Sequence, residues 1–81
     1  MNTQEVFAKM QELIHEQFAV DDSDITMETS FEEDLGADSV DLVELIMAME
    51  EEFGIGEVAE EDLAELKTVG DCVNYLVNKA K

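Results

Sequence analysis

The sequence predicts an all-α fold, a small antiparallel bundle of three main helices plus one short helix, with a long first loop. Three observations predict it. Apolar residues recur at i, i+3 and i+4 in three separate segments. The chain has no proline and four glycines, so little in it interrupts a helix. Its connections are acidic and polar, and 81 residues suffice for one domain, residues 1–81, with one modest core.

The first helix carries Val6, Phe7, Met10, Leu13, Ile14 and Phe18 on one face, with Asn2 (paired with Glu5) or Thr3 as its N-cap. His15 lies away from that face with no second ligand or catalytic partner at helical spacing, and reads as a surface histidine. Asp21 to Asp24 end the helix. The connection that follows has Ile25, Phe31 and Leu35 as core anchors, and Ser30 and Glu33 at capping-box spacing.

Asp22, Asp24, Thr26, Glu28, Ser30 and Glu33 also occupy the oxygen-ligand positions of a calcium loop. The position that needs glycine for its sharp turn is Met27, and no second loop of this kind follows. An acidic calcium-binding interaction module is therefore a remote alternative, and no metal ligand is assigned.

The second helix, Ser39 to Phe53, follows the breaker Gly36 and the N-cap Asp38. It carries two apolar stripes. Leu42, Leu45, Ile46, Met49 and Phe53 share a core-facing arc, whereas Val40 and Met47 point nearly opposite, with Val43 between them and Glu44, Glu50 and Glu51 around them. One stripe is enough to pack a helix into a small bundle. The second resembles a partner-docking surface, with scattered surface hydrophobes as the alternative.

Gly54-Ile55-Gly56 stop this helix, and Glu57 to Glu61 form an acidic linker. A short helix is expected over Asp62 to Lys67, with Leu63 and Leu66 facing the core. Thr68 then caps the last helix, which turns Val69, Cys72, Val73, Leu76 and Val77 inward and places Lys79 and Lys81 near its end.

Charge and cysteine usage narrow the function classes. A formal charge of -18, from 22 acids against four lysines, opposes nucleic acid and anionic membranes and favours basic proteins or metal ions as counterparts. The single cysteine cannot form an internal disulfide, and with no basic neighbour to lower its pKa it reads as a packing residue. The longest apolar run is the five residues Leu45 to Met49, and the start lacks the flanks of a signal peptide. These features read as a cytoplasmic monomer with no membrane insertion.

Ser39 stands at the first position of the second helix, ringed in sequence by Asp34, Asp38 and Asp41. A nucleophilic serine needs a base and an oxyanion site, and neither is visible. A free anion gains about 0.3 to 1 kcal/mol at an exposed helix start, which three nearby carboxylates outweigh at roughly 1 kcal/mol each at 4 Å in water. What remains is a serine open to modification by another enzyme.

Leu35-Gly36-Ala37-Asp38-Ser39-Val40-Asp41, followed by Val43-Glu44-Leu45-Ile46-Met47-Ala48-Met49-Glu50-Glu51-Glu52-Phe53, closely resembles the acyl carrier proteins of type II (dissociated) fatty-acid synthesis. The resemblance extends over the first helix, Thr29-Ser30-Phe31, Lys67-Thr68-Val69 and Tyr75. It implies a carrier without catalysis of its own. Ser39 matches the serine to which a phosphopantetheinyl transferase attaches the 4'-phosphopantetheine of coenzyme A. Asp38, Val40, Asp41, Glu44, Met47, Glu50 and Glu51 match the positions that dock on the transferase and on basic patches of fatty-acid synthesis enzymes. Acyl chains would ride as thioesters on the arm, sheltered between the second helix and the short one.

A specialised carrier for polyketide, aminoacyl or lipid-modification chemistry is the alternative within the class. Three departures from the family pattern are visible. Val40 stands where leucine usually follows the serine, the stretch 54–60 lacks the usual proline, and it is one residue longer.

Overall fold

The computed structural model describes residues 2–79. Four α-helices follow in order: α1 (Thr3–Phe18), α2 (Ser39–Phe53), α3 (Glu60–Leu63) and α4 (Val69–Lys79), with a 3-10 turn at Asp22–Asp24 in the long first loop. This is the all-α bundle of three main helices and one short one that the apolar spacing predicts.

α1 begins where the Asn2 side chain accepts the Glu5 amide at 2.8 Å, and it buries Val6, Met10 and Ile14 completely. Phe7, Leu13 and Phe18, on the same stripe, are half-buried against the core. The helix stops at Phe18, earlier than the aspartates, because Ala19 takes a left-handed conformation (φ 56°) and donates its amide to the His15 carbonyl at 2.9 Å. His15 is exposed, and its Nδ1 lies 2.7 Å from the Val20 carbonyl oxygen, so its role is local to this helix end.

The first loop is tied to the start of α4. Phe31 donates its amide to the Lys67 carbonyl (3.1 Å), Val69 donates to Thr29 (3.0 Å) and Gly70 donates to Met27 (2.8 Å), which makes an antiparallel bridge between Ser30 and Thr68. Ile25 and Phe31 are thereby buried as expected. Thr29, a buried polar residue, has its hydroxyl satisfied by the Thr26 amide at 2.8 Å.

Three expectations need correction. Ser30 Oγ accepts the Glu33 amide (3.2 Å), but the carboxylate that returns to the Ser30 amide is that of Asp34 (2.7 Å), and a turn rather than a helix follows. The short helix α3 lies at Glu60–Leu63 instead of Asp62 to Lys67. Its first turn holds Glu60, Glu61 and Asp62, acids that suit a helix N-terminus. The chain leaves the helix after Leu63 because the Lys67 carbonyl is drawn to Phe31 while Leu66 is buried. Lastly, the segment read as a linker contains Val58, which is part of the core.

α4 is capped by Thr68, whose hydroxyl accepts the Asp71 amide at 3.1 Å while the Asp71 carboxylate accepts the Thr68 amide at 3.0 Å. Val69, Cys72, Val73 and Leu76 are buried, with Cys72 on the packed face as expected. Lys79 lies 5.6 Å from the Tyr75 ring centroid. The assignment of Lys81 to the helix end falls outside the described residues. α1 packs on both α4 and α2, so the core lies between these three helices.

Candidate functional site

The start of α2 is held by contacts on both sides of Ser39. Gly36 adopts a left-handed conformation (φ 63°) that few other residues tolerate. Ala37, buried beside it, donates its amide to the Phe31 carbonyl at 2.8 Å. Asp38 then caps the helix: its carboxylate accepts the Asp41 amide at 3.0 Å, and the Asp41 carboxylate accepts the Asp38 amide at 3.2 Å. From α1, Gln17 donates to the Asp41 carbonyl at 2.6 Å.

Capping is therefore done by Asp38 and Asp41, and Ser39 at the first helical position is left with no such duty. Its hydroxyl makes no hydrogen bond among the described residues, and the residue is exposed. The acids around it are partly committed. Asp38 and Asp41 bind each other's amides and Asp34 binds that of Ser30.

Such a hydroxyl has no base to activate it and no paired donors to stabilise an oxyanion. His15, in the last turn of α1, is engaged with Val20 through its Nδ1. Cys72 offers no alternative nucleophile, since burial and then the neighbouring Asp71 carboxylate push its thiol up to about 12. Among the described residues no group of three or more His, Cys, Asp or Glu is placed to hold a metal ion. In the stretch read as a calcium loop, the Ser30 and Thr26 hydroxyls accept backbone amides and Asp22–Asp24 form a 3-10 turn.

The two-stripe reading of α2 corresponds to what is buried and what is not. Leu45, Ile46 and Met49 are buried, and Leu42 and Phe53 are half-buried against the core. Val40, Val43 and Met47 are 64%, 51% and 60% exposed, with Glu44 and Glu51 exposed beside them. Glu50 differs from its neighbours in being half-buried, with its carboxylate on the Val58 amide.

From Ser39 an apolar groove runs along α2, lined by Ser39, Leu42, Val43, Ile46, Leu63 and Leu66 with a volume of about 180 Å³. A larger hollow of about 620 Å³ lies toward the first loop, with Phe31, Glu33, Leu42 and Lys67 in its lining, but Ser39 is not part of it. Ser39 thus has an apolar lining at its own foot.

Residues 8–76 match the family described as "Phosphopantetheine attachment site". An acyl carrier protein from Enterococcus faecalis of known structure shares the fold with a TM-score of 0.81 and 33% identity, over 98% of this chain and 99% of that one. The chain belongs to the acyl carrier protein family. An acyl carrier protein is a carrier and not an enzyme, which accords with a serine that has neither base nor oxyanion site.

The cofactor of this family is phosphopantetheine, held at an attachment site within the matched span. Its partners are the transferase that installs the arm and the synthesis enzymes that use it. The free serine hydroxyl and the adjoining apolar groove fit such a group. When bound, the group supplies a flexible arm ending in a thiol. No helix among the described residues of this acyl carrier protein is long and apolar enough to cross a membrane.

The site contacts that sequence reasoning missed are the Ala37–Phe31 bond, the Gln17–Asp41 bond and the hydrogen bond between Glu50 and Val58. A lone valine inside an acidic run was the one available signal for the last of these.

Proposed function

We propose that Ser39 is the phosphopantetheine attachment point and that the chain, as one carrier domain over residues 1–81, shuttles growing acyl groups between the cytoplasmic enzymes of fatty-acid synthesis. The observation that carries this reading is the free, exposed hydroxyl of Ser39 on the first turn of a helix that Asp38 and Asp41 already cap. Activation of the hydroxyl falls to the transferase, since this chain has no base beside it. This chain supplies the presentation.

Val40 and Met47 with Asp38, Asp41, Glu44, Glu50 and Glu51 form the docking surface for basic patches. Burying Val40 and Met47 stabilises a complex by at most roughly 1.5 to 3 kcal/mol each. Association costs of about 4 kcal/mol or more offset most of that. The carboxylates add chiefly steering and a faster on-rate. The result is brief, salt-sensitive contact, as a monomeric shuttle requires. Acyl chains lie in the groove between α2 and α3 that begins at Ser39.

The test is intact mass after incubation with a broad-specificity phosphopantetheinyl transferase, coenzyme A and magnesium. The parent chain is expected to gain one phosphopantetheine, and Ser39→Ala none. A gain that persists in Ser39→Ala would overturn the attachment point. Loading of the modified protein by the acyl transferase of fatty-acid synthesis, rather than by a specialised one, checks the pathway.

A further inference from the structure

The groove that begins at Ser39 continues into a second section of about 160 Å³, which shares Val43, Ile46 and Leu63 with the first and adds Met47, Glu50, Glu57 and Val58. An apolar cavity of about 150 Å³ takes one benzene. Each section therefore has room for about six carbons on that scale.

The far section is closed by an unusual arrangement. α2 ends at Gly54 in a left-handed conformation, Gly56 takes another (φ 78°), and the chain turns back so that Val58 reaches the core. The Val58 amide, carried in with its side chain, donates to Glu50 Oε2 at 2.6 Å. That is short even for a charge-assisted bond. Among the described residues no other hydrogen bond holds residues 55–58. One carboxylate thus fixes the loop that walls the end of the groove.

We propose that Glu50 is a positioning residue for the cargo: by holding Val58 across the far section it sets the acyl chain length beyond which the groove has to open. The proposal rests on the reading of Ser39 as the attachment point and of the groove as the shelter for the chain. A short saturated chain occupies the section beside Ser39 with the Glu50–Val58 bond intact. A chain longer than the two sections hold together, about twelve carbons on the same scale, displaces residues 55–58, breaking that bond.

The latch and a docking role for Glu50 make opposite demands. Docking on a basic patch uses the negative charge, whereas the latch uses an acceptor oxygen at the right reach. Glu50→Gln keeps the reach and loses the charge. Glu50→Asp keeps the charge and is one methylene too short. Neither substitution is drastic enough to abolish folding, since the fifteen buried apolar residues are untouched.

The first experiment is amide hydrogen exchange of Val58 by NMR in the unmodified full chain. Exchange is expected to rise by roughly tenfold or more in Glu50→Asp, and by clearly less in Glu50→Gln. Val58 exchange in Glu50→Asp equal to that of the parent would overturn the latch, whatever the fate of Ser39.

The second experiment loads the modified protein with four-, eight- and sixteen-carbon chains. In the parent, Val58 protection is expected to hold with the two shorter chains and to drop with the longest, while Glu50→Asp shows no such step. Protection independent of chain length in the parent would overturn the length rule. Failure of any chain to load on Ser39 would defeat the attachment reading and the length rule with it, but would leave the result of the first experiment standing.

Discussion

The carbonyl oxygen of Met27 accepts the Gly70 amide at 2.8 Å and lies 2.7 Å from where a Cβ on Gly70 would stand. The neighbour is backbone, so it cannot move aside as a flexible side chain would. Alanine would gain up to about 1 kcal/mol of helix propensity but would force the first loop off α4 at a cost of roughly 1 to 3 kcal/mol. Gly70→Ala is expected to be destabilised on balance by about 1 kcal/mol. Its melting temperature should fall by roughly 4 to 8 °C, as measured by circular dichroism. A variant as stable as the parent would mean that the Ser30–Thr68 bridge is not a fixed contact.

Asp38 has two separable properties, its cap and its charge. Asp38→Ala removes the acceptor for the Asp41 amide and is expected to cost about 1 kcal/mol in urea unfolding. Asp38→Asn keeps an acceptor and should unfold close to the parent. If the charge is read by the transferase, Asp38→Asn is expected to be modified more slowly despite its stability, with the mass gain at fixed times as the measurement.

Lys9 bridges α1 to α2, with its Nζ 2.9 Å from Glu52 and 3.6 Å from Glu12. In a chain of charge -18 self-repulsion opposes the compact state, and added salt relieves it. The melting temperature is expected to rise with sodium chloride and further with magnesium. Lys9→Gln should melt below the parent at low salt, by a margin that shrinks as salt is added. A melting temperature insensitive to salt would contradict the repulsion argument.

Cys72 is wholly buried, and burial, followed by the charge of Asp71, pushes its thiol up to about 12 from an ordinary value of 9.0. Because the folded value lies above the unfolded one, the stability it contributes is complete below pH about 9 and is lost as pH rises toward about 12. Native protein at pH 8 is expected to be inert to a thiol reagent and to react only as fast as it unfolds. Urea midpoints should decline from pH 9 upward. Rapid labelling of native protein would show that α4 opens locally.

Helices α1, α2 and α4 were legible because each carries an apolar period long enough to survive its acidic surroundings. The cap at Asp38 was legible for a local reason, since Asp38 and Asp41 are only three residues apart. What escaped the sequence is long-range. The limits of α3 depend on the bond from Phe31 to Lys67, and the close approach at Gly70 depends on Met27. Val58 sits alone in an acidic run, with no period to mark it as core, and its amide is satisfied by a side chain eight residues back.

At the site itself, the sequence showed a serine without catalytic partners, and its role entered through resemblance. That its hydroxyl is free became visible only with the reciprocal Asp38–Asp41 cap, which relieves Ser39 of that task.

The packing of α1 against α4 and the tie from the first loop to Thr68 and Gly70 also govern the order of folding. Val6, Met10 and Ile14 meet much of their burial only when a segment some sixty residues later in the chain is present. Loop closure over that span has to precede its reward. A nascent chain that has emerged through α2 alone would carry the serine and its cap but not the tie that anchors the first loop. The first loop that leads into Ser39 is anchored by Lys67 to Gly70, 28 to 31 positions beyond that serine, so an enzyme that reads the anchored loop acts on finished chains.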